Sequence, residues 1–187
     1  MESVTTPKRV PGEEGLWIVI GGDLAVFSIF FGYFAHARSA DAAGFEHAQE
    51  ALSLGVGLLG TLVLLTGSLL VALAVQRVRG GEGDAAAKFM RAGALSGLAF
   101  LALKALDWRA LFAEGVSAYD HSFFTLFFAF TGVHAFHVLI GGIVLAVAAA
   151  RMRASPQDSL VLAEGAGVFW HLVDLLWIVL FALFYLS

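Results

Sequence analysis

Seven ionisable side chains lie inside stretches of this 187-residue chain that are otherwise apolar: Asp23, Lys104, Asp107, His134, His137, His171 and Asp174. Carboxylates and imidazoles can hold or pass a proton, ligate a metal, or hydrogen-bond one helix to the next. A charged group at the centre of a membrane helix costs roughly 2.5–3.5 kcal/mol on insertion scales. Such groups therefore face a partner, a cavity or a proton path. His134 and His137 are three apart and share a helix face, and His171 and Asp174 repeat the spacing further on. These four are ordinary metal ligands by type. No third helix carries an i, i+4 pair or an ExxH motif of the kind metal-binding bundles use. The favoured reading is a hydrogen-bonded polar cluster that fixes helix register, with no metal and no catalytic residue.

Lys104 and Asp107 are also three apart, so a local ion pair is expected. The alternative is an Asp107 that reaches another helix. Both sit near the outer end of their span, where long side chains also snorkel. Asp23 lies about 9–12 Å from the start of its helix, counting 1.5 Å per residue from Trp17 or Gly15. His137 falls at a matching depth on a long later helix, and an Asp23–His137 pair would lower the cost of both groups. A protonated Asp23 bonded to a backbone carbonyl is the other arrangement that fits.

The elements that must position these residues follow from composition. Fifty-nine per cent of residues are apolar and 14% are charged, too little charge to cover a soluble domain. A helix needs about 20 largely apolar residues to cross the hydrocarbon core. Five stretches qualify, roughly 16–37, 52–76, 89–112, 123–150 and 167–186. The expected fold is an all-α, polytopic five-helix bundle spanning 15–187, with 1–14 as a cytoplasmic tail. Breaks are expected at Arg77–Asp84 and at Arg151–Pro156. Cysteine is absent, which excludes disulfides and thiolate metal sites. The net charge of −4 gives no reason to expect nucleic acid.

Lys8, Arg9, Arg77, Arg79, Lys88, Arg91, Arg151 and Arg153 fall on one side of this topology, whereas Arg38 and Arg109 fall on the other. The positive-inside rule then puts the N-terminus in the cytoplasm and the C-terminus outside. Ala35-His36-Ala37 matches a signal-peptidase site. The preceding apolar stretch is longer than a typical signal core and holds Asp23, so a retained span is expected. Burial of leucine alone does not associate helices in lipid, whereas small residues that let backbones approach do. Ser53, Gly57, Thr61, Gly60 and Gly67 supply them in span 2, Gly93 and Gly97 in span 3, and Gly142 and Ala146 in span 4.

Several segments together resemble subunit III of the haem–copper oxidases. Span 1 reads Gly15-Leu16-Trp17-Ile18-Val19-Ile20-Gly21-Gly22-Asp23, followed by Phe30-Phe31-Gly32, and looks like the family's helix with an intramembrane carboxylate. Thr131-Gly132-Val133-His134-Ala135-Phe136-His137-Val138-Leu139-Ile140-Gly141 is similar to the signature TGxHxxHVxxG. Trp170-His171-Leu172-Val173-Asp174-Leu175-Leu176-Trp177 is similar to WHxVDxxW. The resemblance covers nearly the whole chain from Gly15. It is to the short five-helix form, with Asp at 23 and 107 where the family usually has Glu.

The resemblance implies a non-catalytic subunit in the cell's inner (plasma) membrane. It would sit beside a catalytic subunit I that holds the haem and copper, and support proton uptake, oxygen access and stability. It further implies that Asp23 is the carbodiimide-reactive carboxylate and His137 its partner. Arg151 matches an arginine that binds a phospholipid headgroup in the family cleft; as a residue type it is equally an ordinary positive-inside anchor. His134, His137 and His171 are too few to ligate the haems and copper of a catalytic subunit. A nitric oxide reductase accessory subunit and a self-contained proton channel or small carrier are the alternative functions.

Overall fold

The computed structural model describes residues 14–155 and 158–186. Most of the expected tail, with Lys8 and Arg9, and Pro156 in the last expected break lie outside these residues. The described chain forms helices α1 (Glu14–Ala40), α2 (Ala42–Gln49), α3 (Leu54–Arg79), α4 (Gly83–Ala113), α5 (Ser122–Ala154) and α6 (Leu160–Phe181), with α6 continued by a π-helical turn, Ala182–Leu186. Five of them, α1, α3, α4, α5 and α6 with its π extension, are long and apolar enough to cross a membrane.

The helices outrun the expected spans because polar and charged residues at their ends stay helical past the apolar core. α3 continues through Arg77 and Arg79, and only Gly80–Glu82 interrupts it before α4. Gly81 takes φ +81° in that turn, a conformation that favours glycine, and Arg77 bonds Glu82 across it at 2.9 Å. The last span differs most from expectation. It begins at Leu160 rather than near Gly167, because Glu164 is not a loop residue: it is buried and paired with Arg79 of α3 at 2.9 Å.

The short α2 has no counterpart among the expected spans. Asp41 caps it by accepting from the Gly44 N–H at 3.1 Å, and Phe45 and Ala48 fold inward. Asp41 also meets His121 at 2.9 Å, at the N-cap of α5. The imidazole and the Gly44 N–H hold the Asp41 carboxyl below its ordinary value.

α3, α4, α5 and α6 form a four-membered ring in which each helix packs on its two neighbours, and α1 lies on the α5–α6 edge. Close approach is built from glycines. A Cβ on Gly93 would lie 2.6 Å from Val71 of α3, and one on Gly97 would lie 2.7 Å from the Trp170 ring of α6. Trp170 is buried between Gly97 and Gly141, so a single indole fills slots cut in two facing helices. By contrast α1 touches the rest through a narrow stripe, Ile20, Phe27 and Phe34, at seven-residue intervals. Phe30 stacks on Phe130 of α5 at 4.6 Å between ring centroids.

Candidate functional site

The α1–α5 seam brings Asp23 of α1 against His137 of α5. His137 Nε2 lies 3.3 Å from Asp23 Oδ1. Its Nδ1 lies 2.8 Å from the Val133 carbonyl, one turn back on α5. A carbonyl only accepts, so Nδ1 must carry a hydrogen and Nε2 turns to the carboxyl. A hydrogen bond between Nε2 and Oδ1 then requires one further proton, on either the imidazole or the carboxyl. The pair is net neutral with that proton and carries one negative charge without it. Phe27 packs edge-on against the His137 ring at 5.8 Å, and Phe169 lies nearly parallel to it at 6.4 Å. Asp23 Oδ2 is buried without a hydrogen-bond partner among the described residues.

Phe169 also lines a cleft of about 580 Å³ between the start of α1, α5 and α6. Ile140, Val144, Val147 and Arg151 line it from α5, one stripe of which His137 is the next member inward. The cleft is apolar along its length, and Arg151 and Asp158 stand at its mouth. Along α5, Arg151 is 14 residues from His137, about 21 Å at 1.5 Å per residue.

The other ionisable residues do not join Asp23 and His137 in one cluster. Neighbours at i, i+3 diverge by about 60° around a helix, enough to send His134 to a different helix. His134 Nε2 lies 3.0 Å from the Val173 carbonyl of α6, so it donates there, and the ring is enclosed by Phe100 and Trp177. Trp177 Nε1 donates to Thr61 of α3 at 3.0 Å. His171 turns to α3, where Nδ1 lies 2.6 Å from Ser68 Oγ. Asp174 is buried nearby, and its Oδ1 has no hydrogen-bond partner among the described residues.

Lys104 and Asp107 form an ion pair at 2.7 Å with both side chains about 5% exposed. Asp107 also reaches another helix, since Tyr185 Oη donates to it at 3.2 Å, while Lys104 Nζ donates to Tyr185 at 3.1 Å. The triangle is closed by the π-helical turn, which brings Phe184 and Tyr185 inward. Lys104 further lies 4.7 Å from the Phe127 ring centroid. Sequence reasoning missed Ser68, Glu164 and Tyr185, and took Thr61 only as a small packing residue. Glu164 alone carried a signal, as an acid with apolar residues on both sides.

Among the described residues no three His, Asp, Glu or Cys side chains converge in a way that could hold a metal ion. His134, His137, His171, Asp174 and Trp177 of these seams carry the two sequence signatures, and a family comparison decides their kinship. A sequence profile described as "Cytochrome c oxidase subunit III" matches residues 14–187. The chain belongs to that family.

Curated members of the subunit III family agree over most of the length. "Cytochrome c oxidase subunit 3" of Alkalihalophilus pseudofirmus is 29% identical over 178 residues, covering 92% of this chain and 84% of the relative. "Cytochrome bo(3) ubiquinol oxidase subunit 3" of Buchnera aphidicola is 26% identical, covering 92% of each. "Heme-copper oxidase subunit I+III" of Aeropyrum pernix is 26% identical over 91% of this chain, which matches 22% of that longer protein. The expectation of an all-helical, multi-pass membrane protein of the haem–copper oxidase subunit III family therefore holds.

Proposed function

We propose that this chain is the non-redox subunit III of a haem–copper oxidase. It docks on the catalytic subunit in the plasma membrane with its N-terminus cytoplasmic, and it holds a proton-exchanging pair for that partner. The observation that carries this reading is the Asp23–His137 contact, in which the fixed Nδ1–H of His137 leaves room for one exchangeable proton. The pair sits one helical turn below a lipid-sized cleft, so its environment is set by whatever fills the cleft. A phospholipid fits, with acyl chains along Ile140, Val144 and Val147 and its phosphate at Arg151. The relatives named above serve both cytochrome c and ubiquinol oxidases, and the one that joins subunits I and III in a single chain supports direct contact with the catalytic subunit.

Copurification from mild detergent tests the reading. A haem-containing partner should come out with this chain, and Asp23→Ala should leave the haem spectrum intact while slowing proton uptake and shortening turnover life. Proton flux through the purified chain alone in liposomes would establish a self-contained channel instead. A partner that reduces nitric oxide and not oxygen would establish the reductase reading.

A further inference from the structure

α6 is the most enclosed helix of the bundle, and its outward strip is narrow: His171, Leu175 and Ile178, at i, i+4 and i+7. His171 is exposed there, about 16 Å along the helix from Leu160 and about 22 Å from Leu186 at 1.5 Å per residue. It therefore lies inside the hydrocarbon, beyond the reach of lipid headgroups at either end. Asp23, Lys104, Asp107, His134, His137 and Asp174 are buried or half-buried within the chain. His171 is the exception among these mid-span ionisable residues.

Its ring is also held in place. Nδ1 is engaged by Ser68 at 2.6 Å, so Nε2 points away from that contact and has no hydrogen-bond partner among the described residues. Beside it, a cavity of about 240 Å³ opens between α3 and α6, walled by Ala72, Val75, Gln76 and Gly167 and reaching Arg79 and Glu164 at one end. Acyl chains offer nothing to an imidazole nitrogen. Water in the cavity would need a wall on the open side to keep it from lipid. Both ways of satisfying Nε2 require protein over this strip. The outer faces of α4 and α5 make no such demand, since Leu95, Leu98, Leu139 and Ile143 are apolar and suited to lipid.

We propose that the α6 strip through His171 and Leu175, with the adjoining α3 surface, is the docking face for the haem-bearing subunit, and that this partner brings a hydrogen-bonding side chain to His171 Nε2. The inference rests on the subunit III reading above and names which face of the bundle is covered.

The absence of native cysteine makes single-thiol variants clean reporters. In the haem-containing complex, the Leu175→Cys thiol should be protected from a lipid-soluble maleimide and become labelled when stronger detergent separates the subunits. The Leu98→Cys thiol, on the outward side of α4, should label in both states. Should Leu175→Cys fail to assemble, Ile178→Cys reports the same strip. Equal labelling of the strip in both states, with haem still copurifying, overturns the docking face but leaves the subunit reading intact. Absence of any haem partner overturns both. His171→Leu should reduce the copurifying haem several-fold while the separated chain melts as wild type does. Unchanged haem recovery in His171→Leu would overturn the hydrogen bond to Nε2.

Discussion

His137 reaches Asp23 with one imidazole nitrogen while a carbonyl of its own helix holds the other, and the proposed proton exchange rests on this fixed tautomer. Asp23→Asn keeps the size of the side chain and can donate its amide hydrogen to Nε2, but it cannot exchange a proton. Asp23→Asn should therefore resemble wild type in folding and helix packing and resemble Asp23→Ala in proton uptake by the oxidase. Stopped-flow pH-indicator measurements on the purified complex distinguish the two properties. Wild-type uptake in Asp23→Asn would remove the pair from the proton path.

The Lys104–Asp107–Tyr185 triangle predicts a different pattern, since its groups have no access to water that could compensate a missing partner. Removing one member of a buried ion pair typically costs about 3–5 kcal/mol, whereas replacing the set with apolar residues is often neutral. Lys104→Met should accordingly destabilise the chain by that order. Lys104→Met combined with Asp107→Leu and Tyr185→Phe should recover most of the loss. Denaturant unfolding in detergent micelles measures both.

Glycine slots around Trp170 give a packing test. A methyl group on Gly97 would meet the indole at 2.7 Å, and overpacking of this kind costs roughly 1–3 kcal/mol. Gly97→Ala should lower the melting temperature, and Trp170→Phe in the same chain should restore part of it by vacating the contacted edge of the ring. The signature of direct contact is non-additivity of the two substitutions.

Outside the membrane, Asp41 caps α2 and meets His121, and both the imidazole and the Gly44 N–H favour its ionised form in the folded protein. A depressed folded pKa contributes stability that is present above the unfolded value and lost as pH falls through the folded one. The loss should fall below pH 3.8, the ordinary value for this carboxyl. Melting curves from neutral pH down to about pH 3 should show a decrement in wild type that Asp41→Asn lacks, after the general effect of acid on the remaining carboxylates is subtracted.

How far such features were legible in the sequence depends on whether one helix fixes them. Lys104 and Asp107 share a helix, so their i, i+3 spacing announces the contact; the five apolar runs announce the spans in the same way. Tyr185 was not legible, because its arrival depends on a π-helical turn that no simple periodicity encodes. Glu164 looked like part of a loop because its partner Arg79 is 85 positions away and meets it only once α3 and α6 pack. The histidines divided for a local reason. At i, i+3, His134 and His137 share a broad face, but α6 takes one and α1 takes the other. Asp23–His137 was reachable only by matching depths across two helices and by the family resemblance. α2 was missed because eight residues are too few to show a spanning pattern.

Arg151 offers the test that separates a lipid site from a topological anchor. Its guanidinium stands at the mouth of the 580 Å³ cleft with Asp158, and the apolar stripe behind it leads to the turn that bears His137. Any basic side chain at that helix end would satisfy the positive-inside rule. A phosphate at the cleft mouth, however, is gripped best by the planar fork of arginine, with lysine serving as a weaker point charge. Arg151→Lys should therefore keep topology and retain part of the copurifying phospholipid, while Arg151→Leu should lose most of it. Native mass spectrometry of the detergent-solubilised chain reads the bound lipid directly. Lipid retention in Arg151→Leu equal to wild type would leave Arg151 as an anchor alone. Loss in Arg151→Leu with partial retention in Arg151→Lys would assign the cleft to a phospholipid whose phosphate Arg151 holds.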